Sequence, residues 1–213
     1  MSNFEQYSPK ILLMKEWFIM LTKRQQQAIN TKQHITISTM ALLNEKDYND
    51  ISIKDICDKA NISVGSFYHY FKTKDDILEN TAVIFDMGFE NKVGAKLPEN
   101  PLDAMWFLIN LHLKYTQLSG ARGISALYRY NLISGSDYFV NHNRYLSNQI
   151  KELAKRCKDD GIFKCDMTPE EIRNWILRTL RGVIYDWCLN VGSYNLIEQG
   201  KKDIDVVIKA LYQ

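Results

Sequence analysis

The sequence predicts an all-α protein, with a three-helix unit containing a helix-turn-helix near the N-terminus and a larger helical domain behind it. Three observations carry this. Four prolines and ten glycines in 213 residues leave few of the breaks that many-stranded folds need. Apolar residues recur at helical spacing along most of the chain, and no convincing alternating strand or internal repeat appears. Several helix starts are written as an N-cap side chain followed three residues later by an acidic one.

The first clear helix runs from about Gln25 to Asn44, with Ile29, Ile37, Met40 and Leu43 on its apolar face, and a turn follows at 45–51. Ser52 with Asp55 caps a short helix that buries Ile53, Ile56 and Cys57. Ser63 caps the next, Thr73 with Asp76 a fourth, Asn100-Pro101 with Asp103 a fifth, and Thr168-Pro169 with Glu171 a later one. Connections are expected at 95–101 (AKLPENP), 134–137 (SGSD) and 161–168.

Composition narrows the class. At 46% hydrophobic and 24% charged residues the chain can bury a real core. A net charge of +2 gives no bulk attraction to nucleic acid, and residues 20–75 hold eight Lys/Arg against six Asp/Glu. Any nucleic-acid contact must come from placement. Cys57, Cys157, Cys165 and Cys188 form no CxxC pair and fall inside apolar patterns, so they read as small buried hydrophobes in a reducing, cytoplasmic compartment. His34, His69, His112 and His142 lack the i,i+4 pairing of a helical metal site, so neither metal nor other cofactor is expected.

Residues 10–21 (KILLMKEWFIML) are interrupted by Lys15 and Glu16, lack a cleavage site and are too short to span a bilayer. Ile11, Met14, Phe18 and Leu21 follow helical spacing, so the segment reads as an amphipathic helix or a frayed tail, and Met20 is a second candidate start. No membrane partner is expected.

The informative stretch is Ser52 to Leu78, SIKDICDKANISVGSFYHYFKTKDDIL: a short capped helix, a turn at Asn61-Ile62-Ser63, and a second short capped helix. This is helix-turn-helix grammar. Asn61 stands where the chain must turn sharply, and Asn visits the left-handed region cheaply. Ala60 keeps the crossing close, Ile56, Ile62 and Phe67 pack the pair, and Gly65-Ser66 leave the second helix slim at its N-terminus.

The stretch resembles the DNA-binding domain of the TetR (tetracycline repressor) family from about residue 25 to 80. The combination that carries the likeness is Tyr48, Ser52, Asp55-Ile56, Ile62-Ser63, Gly65, Phe67-Tyr68, Tyr70-Phe71, Lys74 and Leu78. Two departures, Asp47 and Asn61 where the family usually has glycine, bear on loop geometry. The resemblance implies a helix-turn-helix DNA-binding domain at 25–78, behind an extension at 1–24, and a ligand-binding and dimerisation domain at 79–213. It places Ser52 at a phosphate, Ser63, Val64, Ser66 and His69 facing base edges, and Tyr68 and Lys74 on the phosphate backbone, with Lys54 and Lys72 as auxiliary contacts. His69 stands equally as base contact or partly buried packing. Phe67, Tyr70 and Phe71 read as core, and Lys59 as a solvated lysine.

In the second domain, Pro101 to Ser119 is apolar on nearly all faces yet holds Asn110 and His112. With Trp106, Tyr115, Tyr128 and Asn131 these make an aromatic and polar lining for the effector cavity the resemblance implies; the other reading is ordinary core. A histidine there would make effector binding pH-dependent near ~6–7. The resemblance further implies a homodimer on a pseudo-palindromic operator, formed by the last two helices through Trp175, Val183, Ile184, Trp187, Val191, Ile204, Val207, Ile208 and Leu211, with Gly182 allowing close approach; the other reading of that stripe is monomer core. The implied function is a ligand-responsive regulator, by default a repressor released by a small apolar or aromatic effector, with the helix from Thr73 to about Asn91 as lever. An enzyme is the rival class, but no nucleophile–base pair, paired carboxylates, metal spacing or phosphate loop is present. An adaptor without DNA binding would explain the helices but not Gly65-Ser66 with Tyr68 and Lys74.

Overall fold

The computed structural model describes residues 23–81, 93 and 97–213, and within them every regular element is helical. The amphipathic segment at 10–21, the second candidate start at Met20 and the lever helix beyond residue 81 lie outside the described residues. The helices are α1 (Lys23–Glu45), α2 (Ile53–Ala60), α3 (Val64–Tyr70), α4 (described over 75–81), α5 (Pro101–Ser119), α6 (Ala121–Ser134), α7 (Tyr145–Asp159), α8 (Pro169–Leu189) and α9 (Leu196–Ala210), with a 3-10 turn at Tyr48–Asp50.

The written caps form. Ser52 accepts from the Asp55 N–H while Asp55 accepts from the Ser52 N–H, and Thr168 with Glu171 repeats the arrangement at α8. Ser63 accepts from the Ser66 N–H, and Asn100 from the Leu102 and Asp103 N–H groups. Between Thr73 and Asp76 the backbone and side chains bond reciprocally at the start of α4.

Two apolar cores result. The first joins Ile35, Leu42 and Leu43 of α1 to Ile56, Cys57 and Ala60 of α2, Phe67 of α3, Phe71, and Ile77 and Leu78 of α4. The expected α1 face is corrected at Ile37, which is 61% exposed; Ile35 and Leu42 take the buried positions instead. The second core is built by α5, α7, α8 and α9 around Leu108, Ile109, Leu113, Ile150, Ile176 and Ile204.

Helix α6 belongs to both. Ile124 enters the second core, while Ala126 and Leu127 enter the first. Its N-terminus meets α1 closely: a Cβ on Gly123 would lie 2.8 Å from the Met40 methyl, and one on Gly120 1.8 Å from Asn44 Oδ1. Gly120 also holds φ +78° and ψ 147°, a conformation open essentially to glycine, because a single residue must end α5 and begin α6. Gly120→Ala is therefore expected to destabilise the fold by about 1–3 kcal/mol. In the background of Asn44→Ala the collision disappears and the backbone strain stays, so thermal melts should recover only part of the loss.

Candidate functional site

The helix-turn-helix is held in shape from three sides. Asn61 ends α2 at φ 51°, ψ 49°, the left-handed conformation its side chain tolerates, and its N–H and that of Ile62 return to α2 carbonyls. His34 of α1 donates from Nε2 to the Ala60 carbonyl at 3.0 Å. Ile56, Ala60 and Phe67 are buried where the two helices cross.

The outer face of α3 is open. Ser63, Val64, Tyr68 and His69 are exposed, with Val64 at 46% and Tyr68 at 54%, and Ser66 is half-buried. His69 is thus on the surface, not in partly buried packing. Gly65 is exposed as well, and a Cβ there would find only Ser63 Oγ, 3.9 Å away. Phe67 and Phe71 are core and Tyr70 packs against it. Lys54 and Lys72 are exposed. Ser52 is exposed too, but its hydroxyl and N–H both donate to Asp55, at 2.7 and 2.8 Å, holding that carboxyl down at about 2.

Lys74 sits differently. Its Nζ donates to the carbonyls of Tyr48 and Ile51, at 2.6 and 2.8 Å, and lies 4.2 Å from the Tyr48 ring centroid. Two of the three ammonium donors therefore tie the start of α4 to the turn that feeds α2. The Tyr48 hydroxyl donates to Asp75.

In the second domain a cavity of about 110 Å³ opens between α5, α6, α8 and the segment 138–147. Of the expected lining it contains His112 and Tyr128. Trp106 and Tyr115 are instead half-buried packing around the second core. Asn110 is outside the cavity lining, with its Oδ1 buried and unbonded, and Asn131 turns its Nδ2 back to the Leu127 carbonyl. The sequence reading missed Tyr138, Phe139, Arg144, Asn174 and Arg181. Phe139 stacks on Tyr128 with centroids 4.4 Å apart and planes 15° off parallel. Arg144 donates to the Tyr138 hydroxyl at 2.7 Å, and Arg181 to the Phe139 carbonyl at 3.0 Å. One signal was available: Arg181 lies within the stripe Leu177, Leu180, Ile184, where helical spacing puts a charge among buried residues.

The cavity and the helix-turn-helix unit meet on α6. Tyr128 faces the cavity and donates from its hydroxyl to the Arg181 carbonyl at 3.3 Å. The next residue, Arg129, donates to Asn49 Oδ1 at 3.4 Å and lies 5.8 Å from the Tyr48 ring, while Arg122 donates to the Glu45 carbonyl at 3.3 Å.

Residues 35–81 match the family model of bacterial regulatory proteins of the TetR family. The TetR family is thus matched by the helix-turn-helix segment of the chain. Beyond that segment the likeness is weaker but spans the protein. The HTH-type transcriptional regulator AcrR of Shigella flexneri is 18% identical over 200 residues, covering 89% of this chain and 93% of that one. A TetR transcription regulator from Haloarcula marismortui superimposes with a TM-score of 0.64 at 18% identity, covering 86% and 99% of the two chains. The TetR-family repressor FadR of Thermus thermophilus, solved with lauroyl-CoA, gives 0.62 at 16% identity over 83% and 93%.

The expected dimer stripe needs correction. Val183, Ile184, Trp187, Ile204, Val207, Ile208 and Leu211 are all buried inside the chain's own second core, and Trp175 packs against it. The spacing that marked them as a seam marks the inward face of α8 and α9. The outward face carries Gly182, with nothing within 4 Å of a Cβ, together with Tyr185, Leu189 and Val206, while Val191 is exposed just beyond α8. Gly182 therefore makes no close approach to the described residues. Among the described residues no group of three His, Cys, Asp or Glu is placed to hold a metal, and no helix is long and apolar enough to cross a membrane.

The expected pH response of His112 is also corrected. Burial and the Arg144 charge beside it push its pKa down to about 3, so it is neutral throughout the 6–7 range. The unfolded chain takes up a proton near ~6.5 and the folded one does not, so the His112 contribution is full above that value and falls as pH drops toward 3. From pH 7 to 5 this amounts to a loss of up to about 2 kcal/mol. Urea melts at the two pH values should show that loss in the wild type and a clearly smaller one in His112→Gln.

Proposed function

We propose that this TetR-family protein is a cytoplasmic homodimeric repressor that holds a pseudo-palindromic operator through α3 and releases it when a small molecule fills the cavity beside α6. The observation that carries the reading is the placement of neighbours on α6: Tyr128 is cavity wall, and Arg129 touches the turn that positions the helix-turn-helix. A ligand favouring a shifted α6 shifts the DNA-competent population by its differential affinity, typically ~1–3 kcal/mol. The lever is thus α6 in addition to α4. FadR, solved with an acyl-CoA, gives a precedent for a ligand in this fold.

Gly65 supports the DNA reading from a second direction. Glycine costs a helix about 1 kcal/mol relative to alanine, and neither backbone angle nor crowding among the described residues calls for it here. The approach of a DNA backbone does. Ser63, Val64, Ser66 and His69 are proposed to face bases; Tyr68, Lys54, Lys72 and the N–H groups opening α2 near Ser52 to hold phosphates. Lys74 reaches a phosphate with the one donor its carbonyl ties leave over, so its replacement disturbs the fold as well as the contact.

The test of function is retention of operator-region DNA across a salt series. Lys54→Ala should weaken binding to every sequence and reduce the salt slope by about one, whereas Ser66→Ala should change sequence preference by about 1–3 kcal/mol at one position of each half-site. Folded variants that both bind like the wild type would sink the assignment of α3.

The dimer is proposed to form through the outward faces of α8 and α9. Gly182→Arg combined with Val206→Glu should sediment as a monomer with unchanged helix content, whereas Val183→Glu should unfold the chain by placing a charge in its core. A dimer that persists at micromolar concentration in the double variant moves the interface elsewhere.

A further inference from the structure

We infer that the α6 cavity selects a small organic anion, an aromatic or aliphatic body ending in a carboxylate or similar head group, and that Arg181 receives that head group. This rests on the reading of the cavity as the effector site. The guanidinium of Arg181 lines the cavity and is half withdrawn from water. Among the described residues it donates one hydrogen bond, to the neutral carbonyl of Phe139 at 3.0 Å, out of five donors. Among the described residues, burial first and then the like charges of Arg178 and Arg144 push its pKa down, against the Tyr128 phenol. A half-buried cation with no counter-ion among the described residues is costly, and a carboxylate meets the planar fork in bidentate geometry.

The rest of the wall fits the other end of such a ligand. Ile124, Leu127, Leu177, Leu180 and Ile184 supply apolar contact, and the stacked rings of Tyr128 and Phe139 a flat aromatic one. The described lining residues include no Asp or Glu to repel an anion, and His112 is neutral. The volume of about 110 Å³ is several times the ~10–15 Å³ that one water requires. An anion on Arg181 would also compete with the Phe139 carbonyl for the same fork, loosening the ring stacked on Tyr128 of α6.

Matched probes separate charge from shape. Isothermal titration of the full chain, without DNA, uses 2-naphthoate against 2-naphthamide and octanoate against octanamide. The expected result is at least one acid binding tenfold or more tightly than its amide, with the gap closing to below threefold in Arg181→Met. Arg181→Lys, which keeps the charge and loses the fork, should retain an intermediate preference, and it serves also if the methionine variant melts below the assay temperature. Acids that bind no better than their amides in either pair overturn the inference, as does an acid preference that survives in the Arg181 variants. Operator affinity is measured separately with the preferred acid: an acid bound through Arg181 that leaves the operator complex unchanged rejects the effector reading and upholds the anion site.

Discussion

Helix α6 is the element on which the arrangement of the two domains depends, because it contributes to both apolar cores at once. Ile124 is buried in the larger core, and Ala126 and Leu127, two and three residues on, in the smaller. Fully burying one leucine-sized side chain stabilises by about 1.5–3 kcal/mol. A rotation of α6 large enough to release Leu127 is therefore resisted by an amount comparable with the ~1–3 kcal/mol by which a ligand typically distinguishes two states. The close contact at Gly120 and Gly123 on Asn44 and Met40 sets where the helix starts, and leaves it little freedom to slide along α1.

From that constraint follows the way the cavity can speak to the DNA-binding unit. Residues one apart on a helix point about 100° from each other, so Tyr128 and Arg129 face different domains by geometry alone. What Arg129 touches is itself a junction: Tyr48 and Asn49 belong to the 3-10 turn whose carbonyl, with that of Ile51, is clasped by Lys74. The turn feeds α2, and Lys74 opens α4. A small displacement of α6 would thus reach the turn before α2 through the Arg129 and Arg122 hydrogen bonds, and not through the exposed face of α3.

The electrostatics of the cavity are unusual for a core. Arg181 and His112 are both shifted toward their neutral forms by burial and by neighbouring arginines. Asp55 and Glu171 lie at the opposite extreme, surface carboxyls held ionised by capping hydrogen bonds. Charge at the helix starts serves local structure, where water screens it. Charge in the cavity is stabilised by little within the described chain, which is what a site for an incoming anion requires.

The sequence by itself determined whatever depends on neighbours along the chain. Capping pairs such as Ser52 with Asp55, the left-handed turn at Asn61 and the helix-turn-helix motif are short-range hydrogen-bonding and backbone preferences, and residues three or four apart suffice to express them. Helical spacing also marked the apolar stripes of α8 and α9, but spacing is blind to what covers a stripe; the chain's own second core covers Val183, Ile184 and Trp187, leaving Gly182, Leu189 and Val206 outward. The cavity lining was decided by tertiary structure for the same reason. Asn110 and His112 lie two residues apart on α5 and so face different neighbours, and only His112 meets Arg181, Phe139 and Tyr128, which come from three other segments. No local preference encodes that meeting, because it is fixed by where α6 packs between two cores.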